Sequence, residues 1–482
     1  MNILKKITNF FSADEKNDEK RHELNEEILR EYDIRGIFGK NLLTSDARNI
    51  GKAFGTVLIR KNLKKICVGR DCRISSNILF DELISGLVST GVEVTSLDIC
   101  HTPLVYYCVH KLNLDGGVMV TGSHNPPEYN GFKFVISVDP FYGDEIRLLG
   151  TMIKEKDFVK GTGREIVRNN ISSMYVKDIL KDFNFKDENL KIAWDIGNGA
   201  TSNIIKTLTN IIPGKHHLLF EEMDGNFPNR PPDPVSRKNI EYLCKFVSYN
   251  NFDIGFGFDS DGDRLAVVNA NGELLYSDQV LSVFAEDFLK KNPAAQVIAD
   301  VKSCNSLFET IRRLGGIGIM ERVGHSFIKA RMKATGTLLA GEMSGHFFFK
   351  DRWFGFDDGI YAALRCLEII SKDKDAFNNL EYGIVTPEIR IDCENDFQKF
   401  EIIKFVKNKL KEENISFSEI DGVRASLDIG WWVLRASNTQ EALSLRIEAY
   451  SEENMEILKE KIMTYLSDYL DINELKKLFY EA

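Results

Sequence analysis

Three times along this chain a short apolar run ends in aspartate, then gives way to small polar residues and a helical pattern. Lys65 to Asp71 (KICVGRD) is the first case, Lys191 to Asp195 (KIAWD) the second, and Gln296 to Asp300 (QVIAD) the third. Apolar runs of this length bounded by turn formers read as buried strands. The segments IGNGATSNII and VKSCNSLFETIRRL that follow the second and third read as a tight turn and a helix. Strand, turn and helix in series are the parts of an α/β unit. The copies begin at residues 65, 191 and 296, an interval of domain size and not of solenoid size. In open α/β sheets ligands gather outside the carboxyl ends of the strands, so the chemistry is expected in these loops.

At 482 residues the chain is too long for one core, and three or four domains are expected. No apolar run reaches the roughly 20 residues that span a bilayer. The N-terminus has no signal-peptide pattern. The eight cysteines form no CxxC pair and read as reduced thiols in a cytoplasmic protein. A net charge of −10 argues against a nucleic-acid binder, and an anionic substrate then requires locally concentrated Arg and Lys. Residues 1–24 stand apart. Ile3, Leu4, Ile7, Phe10 and Phe11 fall at helical spacing before a charged run, which reads as a docking helix and linker without chemistry.

Thr121 to Lys133, TGSHNPPEYNGFK, is the first loop with unusual chemistry. It follows the strand-like Gly117 to Val120, and neither Pro126 nor Pro127 can donate a backbone hydrogen bond. Asn130-Gly131 is expected to turn the chain into a strand from Phe132 to Val138. Ser123 then sits at a strand end among small neighbours, a setting that suits a nucleophilic or phosphate-carrying serine. In GFGFDSDGDR, Asp259, Asp261 and Asp263 alternate. Carboxylates so close repel unless a cation lies among them. The pattern is not an EF-hand, because glycine comes fourth and Ala270 stands at the twelfth position. Carboxylates with open positions suit Mg²⁺.

Farther on, Lys302 lies in DVKSCNS and His325 in ERVGHSFIK, where a lone histidine is by default structural. AGEMSGHFFF places Glu342, Ser344 and His346 between glycines, with acceptors suited to vicinal sugar hydroxyls. The last unit has strand-like runs at Glu388 to Asp392 and Ala425 to Val433 and a terminal helix from Glu452. Its segment LRASNTQEA brings Arg435, Ser437, Asn438 and Thr439 to one turn, with Arg446 shortly after, donors suited to a phosphate. The turn-rich DGNFPNRPPDP, Asp224 to Pro234, reads as a structural loop.

With EYDIRG (Glu31 to Gly36) in front, these strings resemble, in order, the motifs of the α-D-phosphohexomutases, the phosphomannomutase and phosphoglucomutase family, in the form of its bacterial branch. The resemblance covers roughly residues 31–449. It implies three similar α/β domains with mixed sheets and a smaller C-terminal α+β domain around a central cleft. The expected divisions are 25–168, 169–273, 274–385 and 386–482. It implies a phosphate carried on Ser123. It implies Mg²⁺ on Asp259, Asp261 and Asp263 with a phosphoserine oxygen, and Arg35 and Arg264 beside the phosphoryl group. Glu342 and Ser344 would meet ring hydroxyls. Arg435, Ser437, Asn438 and Thr439 would hold the substrate's phosphate, and Tyr32, Lys302 and His325 would line the cleft.

Lys133 and His346 are the implied acid/base candidates, with His124 an alternative for activating Ser123. The implied reaction interconverts hexose 1- and 6-phosphates of mannose or glucose through hexose 1,6-bisphosphate, which also serves as activator. Gln440-Glu441 departs from the family's usual turn. Small-molecule sugar phosphates are thus the expected partners; whether the chain is a monomer or a dimer is left open. A metal-dependent phosphatase and an inactive sugar-phosphate-binding protein are the competing classes. The first would release free phosphate, and the second should have lost Ser123 or an aspartate.

Overall fold

The structure is a computed structural model that describes residues 24–378, 380, 382–437 and 441–480. The helix expected near the N-terminus therefore lies outside the described residues, as do Asn438 and Thr439.

Four sheets organise the chain. The first holds β1 (Ile34–Ile37), β2 (Lys65–Arg70), β3 (Glu93–Ile99), β4 (Gly116–Val120), β5 (Tyr129–Ile136), β6 (Asp139–Pro140) and β7 (Arg164–Val167). Its spatial order is β1-β5-β4-β2-β3-β7, with β6 beside β5. The second holds β8 (Lys191–Asp195), β9 (Lys215–Leu219), β10 (Ile254–Phe258), β11 (Leu265–Asn269) and β12 (Leu274–Leu275), in the order β12-β11-β10-β8-β9. The third is β14-β13-β15-β16, from β13 (Gln296–Asp300), β14 (Ile317–Glu321), β15 (Leu339–Gly341) and β16 (Phe347–Phe349).

The repeated strand is the same strand in each of these sheets. β2, β8 and β13 each lie between two parallel neighbours. One neighbour, β4, β10 or β15, then reverses into an antiparallel strand, β5, β11 or β16. The loops at that reversal are residues 121–128, 259–264 and 342–346. The serine, aspartate and GEMSGH motifs thus occupy one topological position used three times.

The aspartate that closes each repeated strand explains why the pattern recurs. Asp71, Asp195 and Asp300 are fully buried, so each needs donors. Asp71 accepts from Thr121 Oγ1 at 2.7 Å, and Asp300 from the Met343 N–H at 2.8 Å. Asp195 pairs with Arg230 Nε at 2.8 Å, and that arginine also donates to the Phe258 carbonyl at 2.7 Å. Each carboxylate therefore fixes the root of its own motif loop.

The fourth sheet is antiparallel throughout. It contains β17 (Ile384–Val385), β18 (Ile389–Asp392), β19 (Ser416–Ser418), β20 (Val423–Leu427), β21 (Gly430–Ala436) and β22 (Ala442–Ala449). The helices Asp396–Glu412 and Glu452–Leu466 contribute to its separate core. The first three units share one apolar cluster, which runs from Leu104 and Tyr107 through Trp194 and Phe256 to Phe284 and Ile360. Mixed α/β sheets in three units and a distinct C-terminal unit are as expected. No helix among the described residues is long and apolar enough to cross a membrane.

Two local readings need correction. Ala425 to Val433 is not one strand: the chain reverses at Asp428-Ile429, and Leu427 pairs with Gly430 across a hairpin. Asn130-Gly131 is not a turn either, because β5 already begins at Tyr129 and the turn closes with the Tyr129 N–H on the Pro126 carbonyl at 3.1 Å. Asn130 is buried and donates to the Ser75 and Ser76 hydroxyls at 2.8 and 2.9 Å. Gly131 is required by proximity, since a Cβ there would stand 1.9 Å from the Ile34 carbonyl oxygen. Gly131→Ala should push β1, with Arg35, off β5 and destabilise the fold by about 1–3 kcal/mol, read by denaturant unfolding.

Candidate active site

Ser123 has φ = 47°, the left-handed region that strains a side-chain-bearing residue. Buried Arg73 enforces this conformation. It donates to the carbonyls of Ser123 at 2.5 Å, Asn125 at 2.6 Å and Tyr129 at 3.1 Å, and to that of Pro126. Its Nε is held by Asp71 at 3.1 Å. Ser260 Oγ adds a 2.7 Å bond to the same Ser123 carbonyl. Arg35 donates to the Gly122 carbonyl at 2.7 Å and pairs with Asp33. The outcome is a Ser123 hydroxyl that donates to Asp259 Oδ2 at 2.9 Å. His124 Nδ1 lies 3.4 Å from that hydroxyl. Burial, with Arg264 and Arg35 nearby, holds the His124 pKa well below the ordinary value, so its imidazole is neutral.

Asp259, Asp261 and Asp263 are all 0% exposed, and one oxygen of each lies within 4.8 Å of the others. Lys133, on β5, reaches Asp261 at 2.8 Å and also Asp263. Thr102 binds Asp261 through both its hydroxyl, at 2.5 Å, and its N–H, at 2.7 Å to the carbonyl. One ammonium does not balance three buried carboxylates. Burial and the adjacent Asp261 and Asp263 push Asp259 well above the usual carboxylate range. Asp263, despite its burial, is held well below that range by Lys133 and His346. Burial opposes the charge on Lys133, but Asp261, Asp263 and Asp259 prevail and raise its pKa. Asp261 Oδ1 is buried without a hydrogen-bond partner among the described residues. An orphaned carboxylate oxygen beside two further carboxylates fits a hard divalent cation.

The GEMSGH loop meets this cluster directly. His346 Nε2 lies 3.3 Å from Asp263 Oδ1, and its Nδ1 shares a 2.8 Å hydrogen bond with Ser344 Oγ. The Leu265 N–H donates to the Gly345 carbonyl at 2.9 Å. His325 stacks on His346 at 5.5 Å and faces Tyr32 edge-on at 6.0 Å. Glu342 Oε1 accepts from the Gly324 N–H at 2.6 Å, and burial pushes its carboxyl up to about 7. Arg264 covers Asp259 from 3.9 Å.

The residues expected to hold the substrate's phosphate are more dispersed. Lys302 Nζ pairs with Glu388 at 2.6 Å, and Arg435 Nε with Asp421 at 2.8 Å. The Ser437 carbonyl accepts from Lys399 at 2.8 Å. Arg446 is fully buried; it donates to Asp278 at 2.8 Å and to the Lys302 carbonyl at 2.5 Å, and touches Met343 Sδ at 3.1 Å.

Several positions in the site do not stand out in the sequence. Arg73 locks the serine loop, together with Ser260, which lies within the aspartate motif. Asp357 is wholly buried, accepts from Lys329 at 2.9 Å and lies 3.6 Å from His325 and 3.8 Å from His346. Asp71 was visible only as the end of the repeated strand.

The strained serine loop, the buried carboxylate cluster and the GEMSGH loop, each set on a repeated α/β unit, are the arrangement of phosphohexomutases, the class shown by comparison with known proteins. Four family patterns match the chain in sequence. They are described as phosphoglucomutase/phosphomannomutase alpha/beta/alpha domains I (residues 26–159), II (173–272) and III (276–382), and the C-terminal domain (388–464). A phosphomannomutase/phosphoglucomutase of Pseudomonas putida is 42% identical over 447 residues, 92% of this chain and 96% of that one. A phosphoglucomutase of Neisseria gonorrhoeae is 39% identical over 440 residues, 90% of this chain and 95% of that one. A crystal structure of a phosphoglucomutase/phosphomannomutase family protein from Burkholderia thailandensis superposes with a TM-score of 0.87 at 36% identity, covering 92% of this chain and 98% of that one. The chain belongs to the phosphoglucomutase/phosphomannomutase family.

Two outcomes follow from this geometry. Arg73→Met strips the donor from four loop carbonyls and the partner from Asp71, and should cost about 3–5 kcal/mol in thermal or urea unfolding. Glu342, raised from 4.5 to about 7, binds a proton in the folded state that the unfolded chain has released. Its contribution to stability therefore falls as pH rises from about 4.5 to 7. Glu342→Gln should remove that slope in metal-free protein and gain up to about 3 kcal/mol on wild type between the two ends, measured by melting across the range.

Proposed function

We propose that the chain interconverts hexose 1-phosphate and hexose 6-phosphate, of mannose and glucose, through a phosphate on Ser123 and a hexose 1,6-bisphosphate that turns over in the cleft. One observation carries the reading: the strained Ser123 hydroxyl points at the buried carboxylate cluster to which His346 joins the hydroxyl-binding loop. The residues around Asp261 Oδ1 fit Mg²⁺, which Asp259, Asp261, Asp263 and Ser123 would hold and which would neutralise phosphoryl charge.

The remaining steps belong to the chain's own groups. Arg35 and Arg264 flank the serine and meet the negative oxygens of the transferring group. Glu342 and Ser344 orient the ring hydroxyls, with Tyr32 and His325 as the wall behind them. Arg435, Ser437, Asn438, Thr439 and Lys302 hold the phosphate that is not being transferred, which places the free hydroxyl in line with the phosphoserine. The P–O bond to Ser123 breaks as the bond to the sugar oxygen forms, and the hydroxyl proton passes to a base. Lys133 is held protonated by its aspartates and is not free to act as a base, which leaves His346 to take that proton and to return it to the departing Ser123 oxygen. After the bisphosphate turns over, the same groups return its other phosphate to Ser123. Exclusion of water from the cleft keeps the phosphoryl group from hydrolysis. Free bisphosphate acts as activator by recharging Ser123. We place this activity in the cytoplasm, with small sugar phosphates as partners.

A coupled assay with mannose 1-phosphate or glucose 1-phosphate, Mg²⁺ and catalytic hexose 1,6-bisphosphate tests the reading. Formation of 6-phosphate from both sugars with negligible free phosphate is expected. Free phosphate without isomer would make the protein a phosphatase. Ser123→Ala should lower turnover at least about a thousandfold while sugar-phosphate binding persists. Asp261→Asn should cost at least about tenfold at fixed Mg²⁺. Added Mg²⁺ should raise the melting temperature of wild type and not of Asp261→Asn, because it binds the folded carboxylate cluster alone.

A further inference from the structure

Arg435 is anchored through Nε. Nε donates to Asp421 Oδ2 at 2.8 Å, while Nη2 is buried and has no partner among the described residues. The two side chains are only 5% and 10% exposed. The same Asp421 oxygen accepts the Val323 N–H of the third unit at 3.0 Å. The Val323 carbonyl in turn accepts the Tyr32 hydroxyl of the first unit at 2.5 Å. The next N–H, that of Gly324, goes to Glu342 Oε1. A single two-residue stretch is thus bonded to the first, third and fourth units.

The turn that bears Asp421 is shaped for this contact. Gly422 has φ = 73°, and a Cβ there would stand 2.4 Å from the Leu434 carbonyl oxygen and 2.7 Å from Arg435 Cα. Only a glycine lets the turn lie flat on the arginine's backbone. The register of β20 on β21, with Val423 opposite Leu434, then sets Asp421 beside the Arg435 side chain.

We propose that Asp421 is the positioning residue of the phosphate grip, fixing the Arg435 guanidinium through Nε and latching it to the Val323-Gly324 stretch that Glu342 also holds. The inference rests on the reading of Arg435 as a ligand of the substrate phosphate. An arginine tied at Nε presents its Nη groups with little rotamer freedom left to lose. Because the carboxylate oxygen that orients it also binds the third unit, phosphate held by the fourth unit and sugar held by the third are brought to one fixed separation. Asp421 touches neither phosphate nor sugar; it acts through Arg435 and Val323.

The test compares Asp421→Ala, Asp421→Asn, Arg435→Ala and the double alanine variant in steady-state turnover of glucose 1-phosphate, with melting temperature as the check on folding. Asp421→Ala should raise KM about tenfold to a hundredfold and keep kcat within about threefold, with melting close to wild type. Asp421→Asn, which keeps an acceptor oxygen but not the charge, should show a smaller rise of at least about threefold. The double variant should be no worse than Arg435→Ala, since the two residues act as one device. A wild-type KM in Asp421→Ala or in folded Asp421→Asn, beside a raised KM in Arg435→Ala, overturns the proposal and leaves the phosphate grip standing. A fall in kcat at unchanged KM, or full additivity in the double variant, also overturns it. An unchanged KM in Arg435→Ala removes the grip reading, and the proposal with it.

Discussion

Three carboxylates buried within a few ångströms of one another are the constraint on which the rest of this molecule depends. Asp259, Asp261 and Asp263 leave β10 with no exposed surface, and their mutual repulsion is severe in a medium of low effective dielectric. What holds them is drawn from the other units. Lys133 comes from β5, Thr102 from the start of the helix Thr102–Leu112, and His346 from the loop before β16. The backbone adds further ties. The Thr102 N–H meets the Asp261 carbonyl, the Leu265 N–H meets the Gly345 carbonyl, and the Gly359 N–H meets the Gly262 carbonyl. The cluster is therefore a hub, and its charge demand is also what makes the place suited to a divalent cation.

The hub works because three units repeat one topological device. Each reverses from a parallel to an antiparallel strand at the carboxyl end of its sheet, and each anchors that reversal with the aspartate of its central strand. Ser123 occupies the first reversal, the three aspartates the second and Glu342, Ser344 and His346 the third. The three loops converge because their units share an apolar core. Opening that core would expose area at about 25 cal/mol per Å².

Much of this was legible in the sequence, and the gaps have physical reasons. Strand-end aspartates and the apolar runs before them mark the three units, since burial on both faces leaves a continuous apolar signature. Ser123, the three aspartates and the Glu342–His346 loop stand out because short strings of small and charged residues are rare between apolar strands. Arg73, Asp357 and Asp421 did not stand out, because their roles come from partners about 30 to 100 residues away in sequence and not from their neighbours. Asn130-Gly131 was misread because both residues are ordinary turn formers; only the nearness of Ile34 and Ser75, from other strands and helices, makes them strand residues. The partner of Arg446 was not legible either: on β22 its side chain meets Asp278, a contact that no local pattern encodes.

The fourth unit obeys a different rule. Its core is its own, and it meets the third unit mainly through polar groups. Arg424 donates to the carbonyls of Val301 and Ser303, Glu448 accepts from the Asn305 N–H and the Ser306 hydroxyl, and Lys302 pairs with Glu388. Only a small apolar cluster around Val301, Trp431 and Val433 joins them. Most of these hydrogen bonds can be exchanged for water at a net cost of about 1 kcal/mol each, whereas the fully buried Arg446–Asp278 pair costs more to break. Of the four units, the fourth is thus the one least bound to its neighbours by apolar packing among the described residues. Ser123, the aspartates and Glu342 all lie on the three units that share an apolar core. Arg435 lies on the fourth, and its tie to the third runs through Asp421 and the Val323 N–H.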